Sequence, residues 1–259
     1  MPPSDQDAYG HIDYSGLIAW PERLQREAPL LQRVLALAPA RRVLDLGCGS
    51  GEHARFLKPL GFEVTGVDVS LSQLEAARAA DPEGLYLQAG LTDLAGAIET
   101  LQGGAICLGN TLPHLCEEAE LRAFFSGLAV CLQPGAPLLL QLLNYDRILD
   151  RGERTFPLLL RPGEVEGEST VFLRLMTHHG GGHLTFTPAH LRYRPGSESP
   201  LVLMAAHDVP LRGWRRAEIE TLLASTGFQV NEVLGTMTGE AWSAVSSDLV
   251  IVAERTQPG

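Results

Sequence analysis

The chain has no run of eighteen or more uncharged apolar residues, so no membrane-spanning helix is expected. Its opening, Met1-Pro2-Pro3-Ser4-Asp5, lacks a basic segment followed by an apolar run, and no secretory signal is read. Cysteine is scarce. The four present, Cys48, Cys107, Cys116 and Cys131, show no metal-ligand spacing. They read as small buried thiols in a reducing cytoplasm, and no metal is expected. Basic residues are also in deficit: 20 Lys and Arg stand against 31 Asp and Glu, a formal net charge of −11. That disfavours a nucleic-acid backbone as partner, because such binding draws on clustered cations. What remains is a chain of 259 residues, 45% hydrophobic, able to fill the core of one large α/β domain or two small ones.

The most informative stretch is Val43-Leu44-Asp45-Leu46-Gly47-Cys48-Gly49-Ser50-Gly51. Its apolar residues predict a strand, and the glycines a sharp turn into a helix. A turn at the carboxyl end of a parallel strand is where doubly wound α/β proteins bind ligands. Asp45 before the turn and Glu52 after it make a polyanion a poor guest; a cationic nucleoside-amino acid fits better. The second strand, Phe62 to Asp68, ends in an acid 21 residues after Gly47. A ribose-binding carboxylate sits about 20 residues past the first glycine in nucleotide-binding βαβ units. Helix capping is the alternative role for Asp68, although Ser70 with Gln73 already offers a capping box.

Upstream, residues 1–15 are polar, and Tyr9, His11, Tyr14 and Trp20 read either as a lid over the site or as surface aromatics. Pro21 opens a helix whose Leu24, Ala28, Leu31 and Leu35 mark a buried face, with Pro29 expected to kink or divide it. Spacing alone makes Arg23 a solvated charge. Downstream come a helix over Leu71 to Arg78, a third strand at Leu85 to Gln88, and a short strand from Gly104 that Gly109 and Asn110 break. Asn110 is a candidate acceptor-facing amide or a plain turn residue. His114 is a candidate base or orienting donor, or a satisfied helix-end histidine. A helix from Glu117 and an apolar strand from Ala136 to Leu143 follow.

Val43 to Gly51 resembles motif I of the class I S-adenosylmethionine-dependent methyltransferases, Asp-Leu-Gly-Cys-Gly-Thr-Gly, with Ser50 in place of Thr. Cys107-Leu108-Gly109-Asn110-Thr111-Leu112-Pro113-His114-Leu115 and Asn144-Tyr145-Asp146-Arg147-Ile148-Leu149 resemble two stretches of the glycine N-methyltransferases. The resemblance implies S-adenosylmethionine as cofactor and methylation of a small molecule, an amine by preference. It implies that Gly47, Cys48 and Gly49 border the methionine part and that Arg23 grips its carboxylate. Asp68 would hold the ribose, and the backbone of Leu91 and Thr92 would border the adenine. Asp45, Val69 and Leu108 complete the expected cofactor set, and Asn110, His114 and Tyr145 would face the acceptor. Two departures stand out. Leu91 replaces an adenine-contacting Asp, and Leu143 replaces the arginine that pairs with a glycine carboxylate, so free glycine is not the expected acceptor.

The expected fold is α/β and Rossmann-like: a seven-stranded, mostly parallel sheet whose last strand is antiparallel, with an antiparallel β insertion after strand five. Residues 1–40 form the arm and first helix, 41–149 the cofactor core, 150–212 the insertion on the substrate side, and 213–259 the remainder of the core. Turn signals at Arg161-Pro162-Gly163, Gly180-Gly181-Gly182 and Arg194-Pro195-Gly196 bound the insertion's strands. His178, His179 and His183 at its tip read as a solvated hairpin end. The family assembles, which makes a homo-oligomer an open expectation. O-methylation, a nucleic-acid or protein methyltransferase, and a non-catalytic cofactor-binding protein are the competing readings.

Overall fold

The computed structural model describes residues 18–163 and 165–256. Tyr9, His11 and Tyr14, expected as part of a lid, lie outside the described residues. The chain runs through α1 (Trp20–Leu35), β1 (Arg42–Leu46), α2 (Glu52–Leu57), β2 (Glu63–Asp68), α3 (Leu71–Ala80), β3 (Leu85–Gln88), α4 (Leu94–Ala97) and β4 (Gly104–Cys107). It continues with α5 (Glu118–Cys131), β5 (Pro137–Leu143) and α6 (Tyr145–Arg151). An antiparallel excursion follows: β6 (Leu159–Pro162), β7 (Ser169–Gly180), β8 (His183–Tyr193), β9 (Leu201–Ala206) and β10 (Val209–Arg212). The chain returns through α7 (Arg216–Ser225), β11 (Phe228–Leu234) and β12 (Asp248–Arg255).

The main sheet has seven strands in the order β11-β12-β5-β4-β1-β2-β3. β1 to β5 run parallel to one another, and β12 runs antiparallel between β5 and β11. This is the expected α/β architecture. The order reverses between β1 and β4, which opens a crevice at their carboxyl ends. Alternate residues of the central strands face opposite layers. Leu44, Ala105, Leu138 and Leu140 pack with Phe124, Phe125 and Leu128 of α5 and with Trp214. Val43, Ile106, Leu139 and Val250 pack with Leu30, Leu31 and Val34 of α1. Burial on both faces explains why β4 and β5 read as continuous apolar runs.

α1 is one uninterrupted helix with Pro29 inside it, which corrects the expected division. The ring sits on the exposed side, where water satisfies the carbonyl that loses its partner. The buried stripe is Glu27, Leu30, Leu31, Val34 and Leu35, so an acid occupies a core position. Among the described residues no helix is long and apolar enough to cross a membrane.

The excursion forms a second sheet, β10-β8-β7-β6, with β9 paired to β8. Its base is welded to the main core: Met176, Leu184, Val209 and Leu211 belong to the same apolar cluster as Leu140, Tyr145 and Trp214. The hinge into it is α6. Asn144 is fully buried there, and its carbonyl oxygen accepts from the Arg147 N–H at 3.3 Å. Its amide donates to the carbonyls of Ser243 and Ser246 at 3.2 and 3.1 Å. Asn144→Ala removes a helix cap and two hydrogen bonds that tie α6 to the segment before β12; it is expected to lower stability by about 1–3 kcal/mol, read from urea unfolding.

Candidate active site

Three turns meet at the crevice. In the turn after β1, the N–H groups of Gly47 and Cys48 both donate to the Val67 carbonyl, at 2.8 and 3.1 Å. Gly47 has φ 71° and Gly51 φ 77°. A Cβ at Gly47 would overlap Thr111 from the turn after β4, so glycine is required by space as well as by φ. Asp68, at the end of β2, spans two turns: one carboxylate oxygen accepts from the Gly49 N–H at 2.8 Å and the other from the Ser70 N–H at 2.9 Å. Ser70 itself caps α3, accepting from the Gln73 N–H at 3.3 Å. Each Asp68 oxygen has further acceptor capacity. Beyond it, Val69, Gln88, Ala89 and Gly90 line a cleft of about 290 Å³. The Gln88 amide donates to the Val69 carbonyl at 3.1 Å. Leu91 packs half-buried on the core beside this cleft, Thr92 is exposed, and Leu108 is buried at the end of β4.

On the α1 side, Arg23 is no solvated charge. Its Nε donates to Glu27 at 2.8 Å, its guanidinium lies 4.8 Å from the Trp20 ring centroid, and the side chain is 17% exposed. The second oxygen of Glu27 meets Nε2 of His53 at 2.8 Å. Burial acts to raise the Glu27 carboxyl, but the His53 hydrogen bond and the Arg23 charge outweigh it and hold it below the usual range. Asp45, 2% exposed, lies nearby. Burial and the neighbouring Asp68 charge raise its carboxyl to about 6, against the opposing pull of His53, the Ala54 N–H and Arg23. Burial also pushes the Cys48 thiol up, so it stays protonated. Two buried polar atoms beside His53, Oδ2 of Asp45 and Nε1 of Trp20, have no hydrogen-bond partner among the described residues. One is an acceptor and one a donor, and His53 adjoins both residues, its ring centroid 5.5 Å from that of Trp20. A ligand that carries both an ammonium and a carboxylate fits this pair.

The turn after β4 forms the third wall. Asn110 is left-handed, φ 69°. Its Oδ1 accepts from the Leu143 N–H at 3.1 Å, and the Tyr145 hydroxyl lies 3.0 Å from Nδ2 and 3.2 Å from Oδ1. Gln141 in β5 holds the same turn, its carbonyl side chain accepting from the Gly109 N–H at 2.8 Å. The Gln141 amide donates to Asp248 of β12 at 2.9 Å. Tyr145, expected to face the acceptor, has a fully buried side chain whose hydroxyl meets Asn110. His114 is half-buried, and burial lowers its pKa to about 4, so the ring is neutral at pH 7. At the hairpin tip, His178 bonds the Glu153 carbonyl and His179 the Thr185 hydroxyl. Among the described residues no cluster is arranged to hold a metal.

Glu27, His53, Thr111 and Gln141 were not singled out from sequence. Two left a signal. Glu27 is an acid on the apolar stripe of α1, and Gln141 interrupts an apolar strand. The pairing of Glu27 with His53, 26 residues apart, leaves none in local spacing.

Residues 43–135 match the methyltransferase domain family. A glycine/sarcosine N-methyltransferase of Halorhodospira halochloris is 32% identical over 148 residues, 55% of each chain. A Geobacillus sp. (strain WCH70) protein assigned as a methyltransferase is 31% identical over 191 residues, 63% of this chain and 76% of that one. The S-adenosylmethionine-bound amino pentose methyltransferase of Micromonospora echinaspora superposes with a TM-score of 0.73 over 94% of both chains at 23% identity, a likeness of fold. The chain belongs to the class I S-adenosylmethionine-dependent methyltransferases, whose cofactor is S-adenosylmethionine. It spans about half the length of the glycine/sarcosine N-methyltransferases that it matches.

The raised Asp45 carboxyl has a thermodynamic consequence. Its folded pKa of about 6 exceeds the unfolded value of about 3.9, so the folded state binds more protons between them and loses stability as pH rises through that window. Asp45→Asn is therefore expected to stabilise the ligand-free protein at pH 7.5 by about 1–3 kcal/mol, a gain that fades below about pH 4. The same change should weaken S-adenosylmethionine binding. Thermal melts across pH, with calorimetry at pH 7.5, check both.

Proposed function

We propose that the chain transfers the methyl group of S-adenosylmethionine to the nitrogen of a small-molecule amine other than free glycine. The observation that carries this reading is the clamp joining the ends of β4 and β5. Asn110 is fixed at the edge of the cofactor turns, and half-buried Leu143 stands beside it in place of an arginine. Glycine/sarcosine N-methyltransferases among the relatives, and an amino pentose methyltransferase among the structures, support nitrogen as the acceptor atom.

The bound sulfonium supplies an electrophilic methyl group. The chain positions and shields. Gly47, Cys48 and Gly49 border the methionine part, Asp45 accepts from its ammonium, and Arg23 takes its carboxylate. Asp68 accepts from the ribose hydroxyls, and Val69, Leu91, Thr92 and Leu108 flank the nucleoside. Asn110 holds the acceptor amine in line, with Tyr145 and Gln141 fixing Asn110 from behind. Neutral His114 orients the acceptor. An amine sheds its proton to solvent beforehand, so no strong base is needed. In this reading residues 41–149 and 213–259 hold the cofactor, and 150–212 shape the acceptor pocket.

Calorimetry with S-adenosylmethionine, then turnover assays on a panel of small amines, tests the reading. Micromolar cofactor binding with turnover on an amine supports it. Turnover confined to hydroxyl acceptors would overturn N-methylation, and efficient turnover of free glycine would overturn the role given to Leu143. Within this scheme Asp68→Ala weakens cofactor binding by about tenfold or more, whereas Asn110→Ala lowers kcat by about a hundredfold and shifts cofactor Kd by less than about threefold.

A further inference from the structure

Arg23, buried Glu27 and His53 form a chain in space: Arg23 Nε donates to Glu27 at 2.8 Å, and Glu27 meets His53 Nε2 at 2.8 Å. Glu27 is 3% exposed and His53 6%. Holding an acid in a core position is costly unless it is paired and hydrogen-bonded. The geometry shows what the pairing accomplishes. Glu27 takes the Nε edge of the guanidinium, and the Trp20 ring supports the guanidinium at 4.8 Å. The two terminal nitrogens are then left to point elsewhere. Nη2 lies 3.7 Å from where a Cβ of Gly109 would stand, at the crevice. His53 comes from the helix that starts at the glycine turn, so the chain links the orientation of Arg23 to that turn rather than to α1 alone.

We propose that Glu27 and His53 are positioning residues that aim the Arg23 guanidinium at the carboxylate of the cofactor's methionine end. This rests on the reading that Arg23 takes that carboxylate. His53 acts as a hydrogen-bond donor to Glu27, and Glu27 as a rigid two-pronged acceptor. Neither touches the cofactor, and neither takes part in methyl transfer.

The test compares two ligands by calorimetry: S-adenosylhomocysteine, which carries the amino-acid end, and methylthioadenosine, which lacks it. Wild type should bind the first more tightly. His53→Phe keeps a ring of similar shape but cannot donate, and should lose about tenfold for S-adenosylhomocysteine while methylthioadenosine is unchanged. His53→Gln keeps an N–H near the position of Nε2 and should stay within about threefold of wild type. Glu27→Gln should behave like His53→Phe. A packing role predicts the reverse order, Phe tolerated better than Gln, and that result would overturn the proposal. So would equal losses for both ligands. If wild type binds both ligands equally, the carboxylate role of Arg23 fails and the proposal with it. If it binds neither, the cofactor site itself is refuted. Thermal midpoints of each variant show that the comparisons are made on folded protein.

Discussion

Both oxygens of Asp68 are engaged by main-chain N–H groups, one from the turn after β1 and one from the turn after β2. Two loops that approach a ligand would otherwise be free to spread apart, because their own amide groups face a crevice with few partners. One carboxylate ties them together, and the arrangement needs glycine at 47 and 49, where other residues would block the approach or resist the backbone conformation. Thr111 then packs on Gly47 from the third turn, so all three loops form one surface. The crevice wall is in this sense a single object, held by hydrogen bonds between two of its loops and by packing of the third.

Around that wall the polar groups divide by character. The α1 side holds ionisable groups in low-dielectric surroundings, with Arg23, Glu27 and Asp45 gathered around the His53 ring. The β4 and β5 side holds neutral amides and a hydroxyl, with Asn110, Gln141 and Tyr145 bonded to one another or to main chain. A ligand with a charged amino-acid end and an acceptor that reacts as a neutral amine suits this division. A buried charge gains most from an opposite charge on the ligand, and neutral dipoles orient a lone pair without altering protonation.

The sheet was largely legible in the sequence because its signals are local. Apolar runs bounded by glycine place β1, β4 and β5, and the glycine turn with Asp68 marks the edge of the sheet at the carboxyl ends of β1 and β2. Long-range matters were less so. Pro29 reads as a break, yet α1 continues through it because that side of the helix faces water. Tyr145 reads as an acceptor-facing aromatic because of the motif that contains it. In the structure its ring lies against Gly213, where a Cβ would overlap it, and that partner is far along the chain. Arg23 reads as a surface charge on spacing alone, since its burial depends on Trp20 stacking and on an acid held by a histidine from another helix. Such facts depend on which distant segments meet, and periodicity does not encode them.

The link from Gln141 to Asp248 joins residues 107 positions apart, and it props the turn that contains Gly109 and Asn110. Chains emerge from the ribosome in order. The loops joined by Asp68 can close as soon as β1 to β3 have appeared, since all their partners are near in sequence. The Asn110 end cannot reach its final form until β12 has been made and has slotted between β5 and β11. A nascent chain therefore has a period in which the turns after β1 and β2 are shaped and the turn after β4 is not. Such an intermediate would offer β5 as an unpaired apolar edge, and it is at this stage that the protein would be most exposed to aggregation or chaperone capture.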